Sequence, residues 1–265
     1  MRLAVVIPSY RVTKHILEVL AGNDVLALID SHNGYTPTPA VSVAIIDHNS
    51  QLPHGSDSQA DGIVITPSHN PPQDGGIKYN PPHGGPADSD ATGWIANRAN
   101  ELIREGLKDV KRKAPNSSPF DFRENYVSQL DQVLKLHAIR DTGIRIGADP
   151  LGGASVDYWP LIAERYRLNL EVINPKVDYQ FGFMTLDWDG KIRMDCSSEF
   201  AMASLIQNKS ASTEMHAYCS NGWITPLRQT KPPRNCSTGL TFVFRITYEK
   251  HLCQRLGARR RSHVP

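Results

Sequence analysis

The sequence predicts an α/β fold, on three observations. Short apolar, β-branched runs (around Val5, Val6 and Ile7; Val25 to Ile29; Asp61 to Ile65) alternate with stretches of helical spacing. Strand, helix, strand, helix, strand is the order of a sheet with helices laid on its faces. The same alternation restarts after a charged, Pro- and Ser-containing passage, Lys108 to Pro119, which reads as a linker. A chain of 265 residues has room for two ordinary domains.

Taken in order, residues 1 to 10 read as a strand. Thr13 to Ala21 reads as a helix with Ile16, Val19 and Leu20 on one side, and Val25 to Ile29 as a second strand. A polar turn, Asp30 to Gly34, follows. Thr36-Pro37-Thr38-Pro39 is a helix start, because Thr can cap and Pro is accepted in the first turn; Ala40 to Ile46 would be the helix. Gly93 to Leu107 is amphipathic, its apolar positions being Trp94, Ile95, Ala99, Leu102 and Ile103. Beyond the linker, Phe122 to His137 is expected as a helix, Ile144 to Ala148 as a strand, Ala154 to Tyr166 as a helix and Leu168 to Ile173 as a strand. GADPLGG, just before the last of these helices, reads first as a tight strand-to-helix turn; it is neither G-x-G-x-x-G nor a Walker loop. Asp187-Trp188-Asp189-Gly190 is a hairpin-type turn, and Asp195-Cys196-Ser197-Ser198 a capped helix entry continuing into Ala201 to Ile206.

The stretch from Asp61 to Asp88, DGIVITPSHNPPQDGGIKYNPPHGGPAD, carries the chemistry. A buried strand stops at Thr66, which Pro67 biases toward an extended conformation. Asn70-Pro71-Pro72 stiffens the chain, and Asp74-Gly75-Gly76 turns it back so that Ile77, Lys78 and Tyr79 return as a second strand. A hydroxyl (Ser68), an imidazole (His69) and an ammonium (Lys78) are thereby held near one another, and fixed geometry suits covalent chemistry at the serine. A serine in such a loop is most often a plain turn residue, and no G-x-S-x-G elbow or hydrolase triad is present.

Through TPSHNP, GGIKYNPP and GGPAD the stretch resembles the active-site loop of the α-D-phosphohexomutases. GYTPTPAVS at Gly34 to Ser42, GADPLGG, Leu168 to Asn174 and Phe183 to Ser198 resemble the same family, so that about Lys14 to Ile206 is covered. The resemblance implies two successive phosphohexomutase-type α/β/α domains, each a mixed sheet flanked by helices. The first, 1–118, would lack its usual beginning and the second, 119–208, its end. It implies interconversion of glucose 1-phosphate and glucose 6-phosphate through a phosphoserine at Ser68 and a bisphosphorylated sugar. His69 would orient the phosphoserine, and Lys78 would act as a general acid/base or balance charge. It also implies Mg²⁺, with a phosphoryl oxygen on Ser68 as one ligand.

The sequence departs from that pattern at the metal. Family members carry an Asp-x-Asp-x-Asp-Arg loop soon after the Ser-Ser helix, since Mg²⁺ wants hard oxygen ligands. Here the window 210–225 reads SASTEMHAYCSNGWIT, and no Asp follows Asp195. The stretch 209–265 resembles no part of the family; it is expected to be irregular, and out-of-frame translation would produce such a tail. From Ala201 onward ten Lys and Arg face two Glu, whereas the first 200 residues hold nineteen basic and twenty-five acidic side chains. A nucleic-acid arm is the competing reading of that basic end. The rivals for the whole chain are an inactive remnant without metal, sugar and phosphate loops, and a nucleotide-sugar glycosyltransferase, to whose first strand VVIPSY is similar. The partners expected are sugar phosphates, with neither nucleic acid nor membrane; the oligomeric state is open. The four cysteines show no metal spacing, and no eighteen-residue apolar run is present. Cytoplasmic residence is the default expectation.

Overall fold

A computed structural model of the chain describes residues 2–6, 10–53, 55–66, 75–150, 153–178, 180–192, 200, 203, 217–220 and 242–245, the backbone alone for 2–6, 10–12, 217–220 and 242–245. The described residues fall into two compact units. The first takes in residues up to Thr66 and from Gly76 to Tyr126; the second runs from Val127.

In the first unit β1 (Arg2–Val6), β2 (Val25–Asp30), β3 (Ala60–Ile65), β4 (Ile77–Asn80) and β5 (Ser117–Phe120) form one sheet in the order β4-β3-β1-β2-β5. Only β4 runs antiparallel, against β3; β1, β2, β3 and β5 are mutually parallel. Two helices link the parallel strands, α1 (Tyr10–Gly22) and α2 (Thr38–Ser50). Leu17 of α1 packs on Ala27, with Ile16, Leu20 and Ile29 around them. Ala27 lies in register with Ala4, and Ala4 with Asp61, so α1 sits on the face that includes Asp61. The neighbouring residue Gly62 faces α2: a Cβ there would fall 2.8 Å from Ile45 Cδ1 and 2.9 Å from Val41 Cγ1. The two helices therefore cover opposite faces. The chain leaves β1 toward one edge of the sheet and β3 toward the other, which makes their carboxyl ends a topological switch point.

The α2 start at Thr-Pro is observed, with Pro39 in the first turn, but the N-cap is Pro37 and no side chain caps it. The helix is longer than Ala40 to Ile46 because Asn49, in its last turn, is anchored. Its amide Nδ2 donates to the carbonyls of Ala60 and Pro82 at 2.8 Å each, and its Oδ1 accepts from Ala60 N–H at 2.7 Å.

Helix α3 (Ser89–Arg104) begins four residues before the expected Gly93, since Asp88 caps it by accepting from Ala91 N–H at 2.7 Å. The passage Lys108 to Pro119 is not a bare linker. Lys113 N–H donates to Glu18 O at 3.0 Å, and its Nζ lies 2.7 Å from the Asp24 carboxylate. The Arg112 guanidinium lies 2.6 Å from Glu18, and the Lys111 carbonyl occupies the space a side chain on Gly22 would need, 2.4 Å from such a Cβ. Its last residues are β5, the edge strand beside β2, where Pro119 is tolerated because one side of the strand needs no donor. A domain boundary at residue 118 falls inside that strand.

The single helix expected over Phe122 to His137 is broken into α4 (Phe122–Val127), a 3₁₀ turn at Leu130–Gln132 and α5 (Leu136–Asp141). Each piece buries its own apolar anchor: Phe122 and Val127, Leu130, then Leu136. In the second unit β6 (Ile146–Asp149), buried throughout, pairs in parallel with β7 (Leu170–Val172). The helix between them, α6 (Tyr158–Tyr166), starts four residues later than expected, because 154–157 are turn. The expected turn at Asp187 is present. Gly190, at φ 75°, donates to Asp187 O at 2.9 Å. Two short pieces of the tail expected to be irregular, β8 (Ala217–Ser220) and β9 (Phe242–Arg245), extend this sheet in parallel to the order β7-β6-β8-β9. The helix entry at Asp195 to Ser198, Cys196 included, lies outside the described residues.

Candidate active-site hairpin

Strands β3 and β4 make the predicted hairpin at the carboxyl end of the sheet, with Ile65 opposite Ile77 and Val64 opposite Lys78. Its mouth is closed by Thr66 N–H donating to Gly76 O at 3.0 Å. Gly76 is required there, since a Cβ would fall 2.8 Å from the Thr66 carbonyl oxygen. The loop containing Ser68 and His69 is thus tied at both ends to the edge of a sheet, one residue beyond strands. Ser68 and His69 themselves lie outside the described residues, and no distance joins them to Lys78.

Lys78 is exposed, the third residue from the hairpin mouth counting Gly76 as the first, and it shares its face with Val64, Gly62 and Asn80. Those neighbours are fixed from below. Buried Asn80 donates from Nδ2 to Ser42 Oγ at 3.2 Å and to Gly84 O at 3.0 Å, and Ser42 Oγ donates to Thr38 O at 3.2 Å. Gly84, at φ 76°, lies so close to α2 that a Cβ would sit 2.8 Å from Ser42 O. On the opposite face the Tyr79 hydroxyl donates to Asp61 Oδ2 at 2.9 Å. Burial, and then the nearby Asp61 charge, push the Tyr79 phenol up to about 12. The residues of GGIKYNPPHGGPAD therefore have assignable structural work: Gly76 closes the loop, Tyr79 and Asn80 lock the strand on either face, Gly84 meets α2 and Asp88 caps α3.

Sequence reasoning missed a second set, at the carboxyl end of β2, toward the other edge of the sheet. Buried Asp30, at the end of β2, accepts from Gly34 N–H at 2.8 Å and His32 N–H at 3.2 Å. That bond shapes the turn into α2. The Arg123 guanidinium covers Gly34 so closely that a Cβ would meet its Nη2 at 2.4 Å. His32 Nε2 lies 3.2 Å from Asp121 Oδ2. Asp121 also caps α4, accepting from Glu124 N–H at 2.9 Å. Partial burial raises the Asp121 pKa, but the backbone N–H bonds and His32 outweigh it and hold the carboxyl below its ordinary range. An aspartate ending a strand, followed two to four residues later by His and Gly, was the available signal.

Among the described residues no three His, Cys, Asp or Glu side chains come together as ligands for a cation. No described helix is long and apolar enough to cross a membrane.

Residues 7–105 match the family described as phosphoglucomutase/phosphomannomutase, alpha/beta/alpha domain I. The phosphoglucomutase of Komagataeibacter xylinus is 50% identical over 203 residues, which is 74% of this chain and 36% of the relative. Phosphoglucomutase 1 of Drosophila melanogaster is 31% identical over 169 residues, 54% of this chain and 29% of the relative. The chain thus spans about a third of the length of these two relatives, 36% and 29%. Among solved structures, a phosphoglucomutase/phosphomannomutase family protein from Burkholderia thailandensis superposes with a TM-score of 0.56 at 15% identity, covering 80% of this chain and 42% of that one. Parafusin (phosphoglucomutase) from Paramecium, in an open form, gives 0.51 at 18% identity over 70% and 38%. At those identities the structures speak for the fold, and the sequence matches for descent. Residues 7–105 thus form an α/β/α domain I of the phosphoglucomutase/phosphomannomutase family, and 74% of the chain aligns at 50% identity with a bacterial phosphoglucomutase.

Proposed function

We propose that this chain performs the phosphoryl-shuttling half-reactions of a phosphoglucomutase, with Ser68 as the carrier. Phosphorylated Ser68 gives its phosphoryl group to the free C6 hydroxyl of glucose 1-phosphate. The P–O bond to Ser68 breaks, a new P–O bond forms to the sugar, and the hydroxyl proton leaves with a general base. The bisphosphorylated sugar turns over and returns its C1 phosphoryl group to Ser68, leaving glucose 6-phosphate. Lys78 supplies the cation that balances charge on the moving group or handles the proton, and His69 orients the phosphoserine.

The observation that carries this reading is the hairpin mouth. The Thr66–Gly76 bond sets the two ends of the serine loop at the carboxyl end of β3, beside the β1/β3 switch point, the end of α/β sheets where ligands bind. Its support from descent is the similarity to phosphoglucomutases. Mg²⁺ belongs to the expectation through the family, with the phosphoryl oxygens of Ser68 as ligands. The described carboxylates do not make a cage for it. Sugar phosphates are the partners and the cytoplasm the setting that this reading entails.

A second reading is an inactive remnant, favoured by the lack of any Asp after Asp195. Out-of-frame translation after about residue 207 accounts for the tail, and the coding DNA tests it: an alternative frame should spell the aspartate-rich loop. For the activity, purified chain is incubated with glucose 1,6-bisphosphate and Mg²⁺, and intact mass is read for one added phosphoryl group. Glucose 1-phosphate is then supplied and glucose 6-phosphate measured. Phosphorylation and turnover that both vanish in Ser68→Ala uphold the proposal. A folded chain that takes up no phosphoryl group establishes the remnant.

A further inference from the structure

The turn that leads from β2 into α2 contains the pair Asn33-Gly34. Such a pair is chemically labile, because a glycine has no side chain to hinder the approach of its backbone nitrogen to the asparagine before it. The Gly34 nitrogen attacks Cγ of Asn33 and gives up its proton. A C–N bond forms, the bond from Cγ to the side-chain nitrogen breaks, and ammonia leaves with that proton. Solvent water then opens the five-membered imide at either carbonyl, which puts aspartate or isoaspartate at position 33.

Asn33 is exposed, in the left-handed region at φ 53°, so water reaches it freely. What restrains the reaction is the nitrogen of Gly34. Its N–H donates to Asp30 Oδ2 at 2.8 Å, and Asp30 is only 3% exposed. Ring closure must turn the planar 33–34 peptide about the Asn33 Cα–C bond and remove the proton from that nitrogen. Both acts break the bond to Asp30. The peptide on the other side is tied as well: His32 N–H donates to the same Oδ2 at 3.2 Å, and Asn33 N–H donates to Asp30 O at 3.2 Å. The Arg123 guanidinium lies over Gly34, its Nη2 2.4 Å from where a Cβ would be, and closes the space on that side.

We propose that Asn33 is a latent deamidation site and that the buried Asp30 carboxylate is the latch that keeps it unreacted in the folded chain. Local opening of the turn releases Gly34 N–H and lets the reaction proceed. The change is one-way. A new carboxylate at 33 joins a turn that already holds Asp30, next to the His32–Asp121 contact. Isoaspartate also lengthens the main chain by one carbon between the His32 and Gly34 N–H groups, so both can no longer reach Asp30 as before. The entry to α2 is loosened by its own chemistry.

The full chain is kept at mildly alkaline pH with and without urea, cleaved on the amino side of aspartate, and read by mass. Unreacted chain gives the peptide 30–46, and aspartate at 33 gives 33–46. Isoaspartate, which that cleavage passes over, leaves 30–46 about one mass unit heavier. Conversion at 33 is expected to run at least roughly tenfold slower in the folded chain than in urea. Asp30→Ala, if its circular dichroism is that of wild type, converts several-fold faster than wild type without urea and equally fast in urea. Hydrogen exchange of the Gly34 N–H in wild type needs no variant and decides the latch where Asp30→Ala does not fold; slowed exchange is expected. No conversion at 33 in urea overturns the site. Equal rates with and without urea, or a Gly34 N–H exchanging as in the unfolded chain, overturn the latch. A folded Asp30→Ala protein that converts at the wild-type rate takes the role away from Asp30.

Discussion

Tyr79 and Asp61 are joined across the β3–β4 hairpin by a 2.9 Å hydrogen bond, phenol to carboxylate, on the face of the sheet that α1 covers. They are not direct cross-strand partners, for Tyr79 stands opposite Ile63. The bond is diagonal, and it fixes the stagger of the two strands that carry the serine loop. Charge-assisted bonds of this kind contribute about 1.5–3 kcal/mol when shielded, and less at a half-exposed site.

Tyr79→Phe therefore loses on the order of 1 kcal/mol in urea unfolding at neutral pH. Its pH dependence is more telling. The phenol is raised to about 12 in the folded state, above its ordinary 10.0. The native state thus holds the proton more tightly than the unfolded chain. The resulting stability is complete below pH 10 and drains away as the pH rises toward 12. Tyr126 and Tyr166 are raised too, chiefly by burial. The difference between wild type and Tyr79→Phe, flat to about pH 10 and shrinking above it, isolates the Tyr79 phenol, its burial first and its contact with Asp61 second.

At the acid side the sign reverses. Asp121 is held below its ordinary range, so its contribution is present above the unfolded value near 3.8 and is lost as pH falls through the folded one. Asp121→Asn should therefore be modestly less stable than wild type at neutral pH, where the carboxylate's contribution is present. The difference should shrink as the pH falls below the ordinary carboxylate value of 3.8. Acid titrations followed by circular dichroism decide it. Identical acid profiles for the two proteins would show the carboxylate to be bystander charge.

Asn49 offers a test of how α2 is fastened to the sheet. It makes three hydrogen bonds to the backbone of Ala60 and Pro82. Asn49→Ala leaves a donor and two acceptors to find other partners, and about 1–3 kcal/mol of stability is expected to go. Asn49→Asp keeps the acceptor for Ala60 N–H but sets a carboxylate oxygen against the Ala60 and Pro82 carbonyls, and should cost at least as much.

How much of this was legible beforehand depends on what wrote the signal. Strands β2 and β3 and the turn back at Gly76 could be read because β-branched runs and Gly-Pro punctuation are local properties. The linker reading failed at Lys113 for the opposite reason. Nothing in a charged, Pro-containing string reports that its backbone N–H will reach Glu18 O or that Ser117 to Phe120 will find β2. The long helix over Phe122 to His137 failed likewise, because each apolar residue is anchored separately. The strand that carries Lys78 was legible from the glycine turn before it. Asp30 and Arg123 were not found, because their roles exist only once β2 and α4 are side by side. The buried state of Asp149, which accepts from Asn174 Nδ2 at 2.7 Å, likewise depends on a pairing between distant strands.

The hairpin mouth supplies the last test, one that separates positioning from stability. Gly76→Ala sets a methyl group 2.8 Å from the Thr66 carbonyl oxygen, and the backbone must yield, at about 1–3 kcal/mol. Lys78→Met changes an exposed side chain whose removal should cost no more than roughly 0.5 kcal/mol. If Lys78 balances charge in phosphoryl transfer, Lys78→Met should lower the rate of Ser68 phosphorylation by roughly 10²–10³ while melting with wild type. Gly76→Ala should lower rate and stability together, because the same distortion that loosens the mouth misplaces the serine. A Lys78→Met protein that takes up phosphoryl groups at the wild-type rate would remove Lys78 from the chemistry and leave it a solvated strand residue.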